Sequence, residues 1–441
     1  MTMRPLFLFL TTVSLAAAQG TLQLSLKRAV EIAVTPEGSA RVALAQQSVK
    51  QAETHVTESR AAFLPTIDGS LQERNQTVNL QTFGINFSLP LFGFSVPSLV
   101  GPFTVFDARA SAEQSVFNYS DIKKYQAAKL ALLATNADLE TTKNQVSDQV
   151  SRGYAACLRA EASLASARAN VELSNALERL ANSQKNAGTG TGIEVTRAQV
   201  QLANDRQHLI VAENDRQRAV LELLRAMGLN LDVAVEFSDK LSYAPVNVAD
   251  LEASLKTAKD DRAELKAQQR REDSAKMNYN AVSAERYPSV GVFGDYGPNG
   301  LQIDNARPTR QVGFNVKVPV FDGFRREARR SESFSQYKQE TIRTRDLLQQ
   351  IELEVRLALD SLRSAQAQVE TARDGLTLSQ NELAQAQRRY QAGVTNSIEV
   401  TDAQTRLIRA EDNQIAALYA YEVARIDLAT ATGTIGEFVN Q

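Results

Sequence analysis

Glu399 and Asp402 stand three residues apart, which on a helix puts both carboxylates on one face. Paired carboxylates can run hydrolysis as general acid and base. No pocket-forming domain that would serve such a hydrolase is evident in the chain, and Glu399 and Asp402 have a plainer use at hand. Asn396 with Glu399, and Thr191 with Glu194, each fit a capping box, an N-cap residue followed by Glu at the third helical position. Glu399 would then cap its helix and offset the dipole. Asp402 has no such duty, since the matching position after the other turn is Arg197. Other chemistry-bearing types are scarce: one Cys, Cys157, and two His, His55 and His208. A single Cys allows no intramolecular disulfide and no Cys-based zinc site. Cys157 reads as a small buried hydrophobe, and each His as a surface residue. There is no nucleophile elbow and no glycine-rich phosphate loop. No catalytic residue, metal or cofactor is therefore assigned, and the chain does not read as an enzyme. The charge runs Asp260-Asp261-Arg262 and Arg270-Arg271-Glu272-Asp273 read as solvated helix faces.

The elements that must position these residues are long helices. The chain has 441 residues, 43% hydrophobic but only 6% aromatic, with no Trp, 21 Gly and 11 Pro. A chain poor in breakers and rich in Ala, Gln, Leu, Glu and Arg is a long-helix chain. Its 49 Lys and Arg nearly balance 51 Asp and Glu, which argues against a nucleic-acid partner. Met1 to Ala18 carries Arg4, the apolar run Leu6–Leu10 and a closing Ala16-Ala17-Ala18. That is the pattern of a secretory signal peptide, with Gln19 the first mature residue. No later apolar run is long enough for a transmembrane helix.

The chain is written twice. Ala187-Gly188 matches Ala392-Gly393, and Ile193-Glu194-Val195-Thr196 matches Ile398-Glu399-Val400-Thr401. Gly188 and Gly393 read as helix C-terminal glycines. Val146, Val150, Gly153, Cys157, Ala160, Leu164, Ala167 and Val171 step by alternating fours and threes. Ile351, Val355, Ala358, Leu362, Ala365, Val369, Ala372 and Leu376 repeat the pattern. A sustained spacing of about 3.5 residues marks a supercoiled seam. Upstream, Phe117-Asn118 corresponds to Phe321-Asp322 and Pro65 to Pro288. The first repeat then carries extra residues, placed near Leu89–Phe106. The repeats span about 22–230 and 245–436.

Two windows break the helical composition. Residues 63–125 and 287–324 hold 12 of the 17 Phe and 8 of the 11 Pro. Val312, Phe314, Val316 and Val318 alternate with Gly313, Asn315 and Lys317. Period two marks strands, so each window predicts a hairpin, near 64–117 and 288–321. Each repeat then runs helix, hairpin, very long helix, turn, helix. The first helix covers about Leu24–Phe63, broken at Thr35-Pro36. The long helices cover about Ser120–Ala187 and Arg325–Ala392, roughly 100 Å each at the α-helical rise. Residues 229–249 read as mixed, a small side domain. Four strands cannot close a barrel, which needs about eight, and open edges are not tolerated in lipid. Hairpins that enter a membrane must pool strands between chains; three copies supply twelve, an even number as bacterial barrels have.

At this point the chain resembles the TolC family of outer-membrane efflux proteins. The stretches that carry the likeness are Leu24-Ser25-Leu26-Lys27-Arg28-Ala29-Val30, Phe63-Leu64-Pro65, Arg286-Tyr287-Pro288, Gln114-Ser115-Val116-Phe117-Asn118 and Pro319-Val320-Phe321-Asp322-Gly323. Tyr390-Gln391-Ala392-Gly393 followed by Ile398-Glu399-Val400-Thr401-Asp402-Ala403 is the most family-specific. The resemblance implies a mainly α chain with a β-barrel portion, a homotrimer joining four strands per chain into a 12-stranded outer-membrane barrel. Below it a long-helix α-barrel would cross the periplasm to a gated end. It implies the outer-membrane channel of a tripartite efflux or type I secretion system. The partners are outer-membrane lipid, a periplasmic adaptor and an inner-membrane transporter.

The resemblance also points to residues. Asp402 and Glu399 match acidic positions at the periplasmic mouth, where three copies would form acidic rings that favour cations. Tyr390 matches a position that helps hold the mouth closed. The turns with Gly188, Thr189 and Gly190, and with Gly393, Val394 and Thr395, match the adaptor-docking tips. Against this stands an exported coiled-coil or adhesin-like protein with no channel. The duplicated hairpins speak against that alternative.

Overall fold

Capping residues and left-handed glycines decide where the helices start and stop. The computed structural model describes residues 22–84, 88–89, 94–95, 97–245 and 250–440. Residues 1–18, which the sequence pattern assigns to a signal peptide, and part of the Leu89–Phe106 segment lie outside them. The chain opens with β1 (Leu22–Leu24), α1 (Leu26–Ala33) and α2 (Ala40–Ala61). Next come β2 (Thr66–Asn79), a 3-10 turn (Leu80–Phe83), β3 (Ser88–Leu89), β4 (Phe94–Ser95) and β5 (Leu99–Phe117). Helices α3 (Tyr119–Asn186) and α4 (Gly192–Ala226) follow, then β6 (Val235–Phe237), α5 (Leu251–Asp261) and α6 (Ala263–Ala284). The second hairpin is β7 (Ser289–Gly300) and β8 (Arg307–Lys317), before α7 (Arg325–Gln391), α8 (Ser397–Thr432) and α9 (Ile435–Phe438). Among the described residues no helix is long and apolar enough to cross a membrane.

The chain divides into two units. One holds residues 1–46, 139–263 and 348–441; the other holds 47–138 and 264–347. The first unit is helical around apolar seams. Val146, Val150, Tyr154, Cys157 and Leu158 of α3 pack with Val220, Leu223, Leu224 and Met227 near the end of α4. Leu24, Val30 and Val42 join the same core. On the other long helix, Leu362, Ala365 and Val369 pack against Ala417, Tyr421 and Ala424 of α8. The alanines let the helix axes come close, and the buried leucines and tyrosine supply the apolar area.

This unit departs from the sequence pattern in three places. Leu24 is in a strand rather than a helix: β1 pairs parallel with β6, Leu22 opposite Val235 and Leu24 opposite Phe237. Residues 229–245 therefore complete the core of this unit instead of forming a side domain. Arg262 is not on a solvated face. It caps α5, its side chain is 8% exposed, and Nη1 meets Glu354 Oε2 at 2.5 Å. The same guanidinium reaches the Ala431 carbonyl at 3.5 Å, so two acceptors offset the burial of its charge.

The second unit carries the sheet, ordered β2-β5-β7-β8 with every pairing antiparallel. β2 pairs with β5 through Phe103, Val105 and Phe106. The extra length of the first hairpin therefore starts earlier than Leu89, between Asn79 and Leu99, and Phe103–Phe106 belong to the ladder. Among the described residues β2 and β8 pair on one side only. The register sorts side chains by face. One face carries Ile67, Leu71, Ala108, Ala110, Ala112, Val290, Val292, Tyr296, Val312, Phe314 and Val316, and with them Glu73, Gln114 and Arg310. Many of these are solvent-exposed in the single chain, Val312 by 84% and Phe314 by 76%. The opposite face carries Asp68, Ser70, Gln72, Arg74, Asp107, Arg109, Ser111, Glu113, Asp295, Asn299 and Gln311.

Candidate functional site

The site candidates sit on two helix-to-helix turns. At each, a glycine in the left-handed region, Gly188 at φ 76° and Gly393 at φ 71°, ends the long helix. In the first turn the Thr189 and Gly190 N–H groups both donate to the Gln184 carbonyl at 3.0 Å. Thr191 then caps α4, and its N–H donates to Glu194 Oε2 at 2.8 Å. That N–H holds the Glu194 carboxyl below its usual range, helped by the Ser397 N–H and Arg197. In the second turn the Val394 N–H donates to the Arg389 carbonyl at 3.0 Å. Asn396 caps α8 by accepting from the Ile398 N–H at 3.0 Å.

Glu399 does not repeat the capping box of Glu194. It accepts from the Thr395 hydroxyl and pairs with Arg389 Nη1 at 3.4 Å. The carboxylate therefore ties its own turn back to the last turn of α7. Asp402 points to a different cation. Arg406 Nη2 donates to it at 2.7 Å, and Arg406 also reaches Glu382 of α7. The Asp402 side chain is 64% exposed and that of Glu399 38%. Tyr390 is buried among Leu383, Ala386, Val400, Ala403 and Leu407. Burial first, then the Glu194 carboxylate, pushes its phenol up. Between the turns, Ile193, Val394 and Ile398 leave apolar side chains more than half exposed.

A buried polar cluster lies farther from the turns, where sequence reading placed nothing. The Ser174 hydroxyl of α3 donates to Asp205 Oδ2 of α4. Gln404 of α8 donates to Ser174 Oγ at 2.6 Å and to Asp205 Oδ2 at 3.3 Å. Gln201 supplies a further N–H to Asp205 Oδ1 at 3.0 Å. Ser174, Asp205 and Gln404 are each under 3% exposed. A signal was present: Ser174 lies one three-residue step beyond Val171 on the apolar seam, and a polar residue at a seam position specifies register.

The remaining candidates are plain. Cys157 is fully buried, and burial pushes its thiol up to about 12. His55 is exposed beside Glu58 at 3.1 Å. Among the described residues no group of three or more His, Cys, Asp or Glu could hold a metal.

Long helices with short exposed turns, together with a two-faced antiparallel sheet, are the build of an outer-membrane channel subunit. The model of the outer membrane efflux protein family matches residues 36–229 and 254–434, and the chain belongs to that family. It is similar to the pyoverdine export outer membrane protein OpmQ of Pseudomonas aeruginosa, 24% identical over 87% of this chain and 80% of that protein. It is also similar to the outer membrane protein TolC of Vibrio cholerae, 20% identical over 87% and 85% of the two chains. Among solved structures, the outer membrane protein VceC of Vibrio cholerae superposes with a TM-score of 0.75. That match has 17% identity and covers 92% of this chain and 96% of that one.

Proposed function

We propose that three copies of this outer-membrane efflux channel protein assemble as a homotrimer. β8 of each copy pairs with β2 of the next, closing a 12-stranded barrel from four strands per chain. The observation that carries this reading is the sheet itself. One face is mostly apolar, from Ile67 and Leu71 of β2 across to Val312, Phe314 and Val316 of β8, with exposed residues on every strand, and β2 and β8 each keep a free edge among the described residues. In lipid such edges must pair. The apolar face then meets hydrocarbon and the polar face lines the lumen. The two repeats, about 22–230 and 245–436, each give one hairpin to the barrel and one helix pair to the conduit.

The conduit serves a tripartite efflux or type I secretion system and carries out no catalysis. An inner-membrane transporter and a periplasmic adaptor complete it. The adaptor docks on the turns at Gly188–Gly190 and Gly393–Thr395, where Ile193, Val394 and Ile398 offer exposed apolar contacts. Asp402, Glu399 and Tyr390 form the periplasmic gate, Asp402 and Glu399 as charge and Tyr390 as packing. The exported substrate belongs to the transporter's choice.

Cysteine pairs test the closure. Ile67→Cys or Leu71→Cys is combined with Val312→Cys, Phe314→Cys or Val316→Cys, and Cys157→Ala removes the native thiol. At least one pair is expected to give disulfide-linked species up to three chains. A panel with no linked species in membranes that contain the protein contradicts the reading.

A further inference from the structure

We propose that Arg109 sets the ionic preference of the sheet section of the channel. The inference rests on the reading that the polar face lines a lumen. On that face Asp68 of β2 and Asp295 of β7 stand at one level, since Asp68 is opposite Ser111 and Ser111 opposite Asp295. Three copies would put six carboxylates around the lumen there. Rings of charged side chains are how pores select ions.

Arg109 lies one step farther along β5 and leans over this level. Its Nη1 meets Asp295 Oδ1 at 2.6 Å, and its Nε meets Asp107 Oδ1 at 2.8 Å. The guanidinium bridges β5 and β7 through these two carboxylates. Gly297, directly opposite, makes room for it. A Cβ at Gly297 would come within 2.4 Å of the Arg109 Cα and 2.5 Å of its Cβ. All three side chains are 27% exposed or less even in the single chain, so the cation is fixed in place rather than waving in solvent. Asp68 sits on the other side of β5, and no ion pair with it is found among the described residues. Arg109 therefore shares one positive charge between Asp107 and Asp295, so the three groups keep one net negative charge per chain, and the unpaired Asp68 adds a second.

A pair that only braced the sheet would affect stability and nothing else. A lumen charge affects ions, and its reach is the Debye length, about 30 Å at 0.01 M salt and about 3 Å at 1 M. The test uses the full-length channel with Cys157→Ala and Arg109→Cys, reconstituted in planar bilayers. Thiol reagents that add a positive, neutral or negative group are applied to the same channel. The wild-type channel is recorded first; if it passes no current, the channel reading fails and this proposal is not what failed. With current present, the cation-to-anion permeability ratio should rise from positive to neutral to negative reagent. The span is expected to be about twofold or more at low salt and to vanish toward 1 M. The positive reagent should restore the wild-type ratio, and Asp295→Asn should lower it. Equal ratios for all three reagents, or an introduced thiol that no reagent reaches from the aqueous phase, would overturn the proposal.

Discussion

Gln404 of α8 donates an amide N–H to the Ser174 hydroxyl of α3 at 2.6 Å, across 230 residues of sequence. The same amide reaches Asp205 of α4 at 3.3 Å. Three helices thus meet at one buried carboxylate. A buried carboxylate without hydrogen bonds is costly, so the donors from Ser174, Gln201 and Gln404 are what make the position tolerable. The cluster fixes the sliding register of α8 against α3 and α4, which apolar contacts alone leave loosely specified.

Removing one donor should therefore hurt more than its single bond suggests. Gln404→Leu leaves Asp205 under-satisfied in an apolar seam and should cost about 1–3 kcal/mol. The midpoint of thermal loss of helical circular dichroism should fall. Asp205→Leu combined with Gln404→Leu should recover part of the loss, because both polar partners are then gone. A double variant worse than the sum of the singles would contradict this account.

Glu194 makes stability at the first turn depend on pH. Its carboxyl is held below the usual range by the Thr191 N–H. A lowered folded-state pKa gives a contribution that is full above the unfolded value. It is lost as pH falls through the folded one. Wild type should thus be more heat-resistant than Glu194→Gln at about pH 6, with the gap narrowing as pH is taken below the ordinary glutamate value of about 4.3. A gap that widens with acid would show that Glu194 is not the acceptor of this cap.

Arg406 joins Asp402 and Glu382 in one charge cluster at the second turn. Arg406→Ala frees two carboxylates per chain and should raise cation preference of the channel. Asp402→Ala should lower it. Each pair is exposed, so neither change should cost more than about 1 kcal/mol of stability. Reversal potentials across a salt gradient read the effect. An Asp402→Ala channel with unchanged conductance and selectivity would remove Asp402 from the gate.

Val394 is 69% exposed at the tip of the second turn. Together with Ile193 and Ile398, which are also more than half exposed, it offers apolar area at the turns. Val394→Asp should depress efflux while the amount of protein in the outer membrane stays unchanged. Normal efflux from Ile193→Asp and Val394→Asp together would take the turns out of adaptor docking.

Much of the architecture was legible in the sequence, and the exceptions have physical causes. The seam at 146–171 and its copy at 351–376 reveal long helices because a buried stripe repeats every 3.5 residues. The alternation of Val312, Phe314 and Val316 reveals a strand because period two has one meaning. Local pattern could not show that Leu22–Leu24 pairs with Val235–Phe237. Three-residue strands have too little periodicity, and their partners are more than 200 residues away. Arg262 looked solvated because its neighbours Asp260 and Asp261 are charged, yet a break between two helices turns it inward onto Glu354. At the second turn, the similarity of Asn396–Glu399 to Thr191–Glu194 suggested two equal capping boxes. Thr395 and Arg389 divert Glu399 from that role, and neither competitor is visible from the spacing alone.

Pooling of strands between chains is tested most directly by the mass of the native particle. Protein extracted from outer-membrane fractions in mild detergent should have three times the mass of the mature chain, after correction for bound detergent and lipid. A single-chain mass, with the protein recovered from the soluble periplasmic fraction, would leave β2 and β8 with no neighbour to pair with. It would contradict the channel and favour an exported coiled-coil protein.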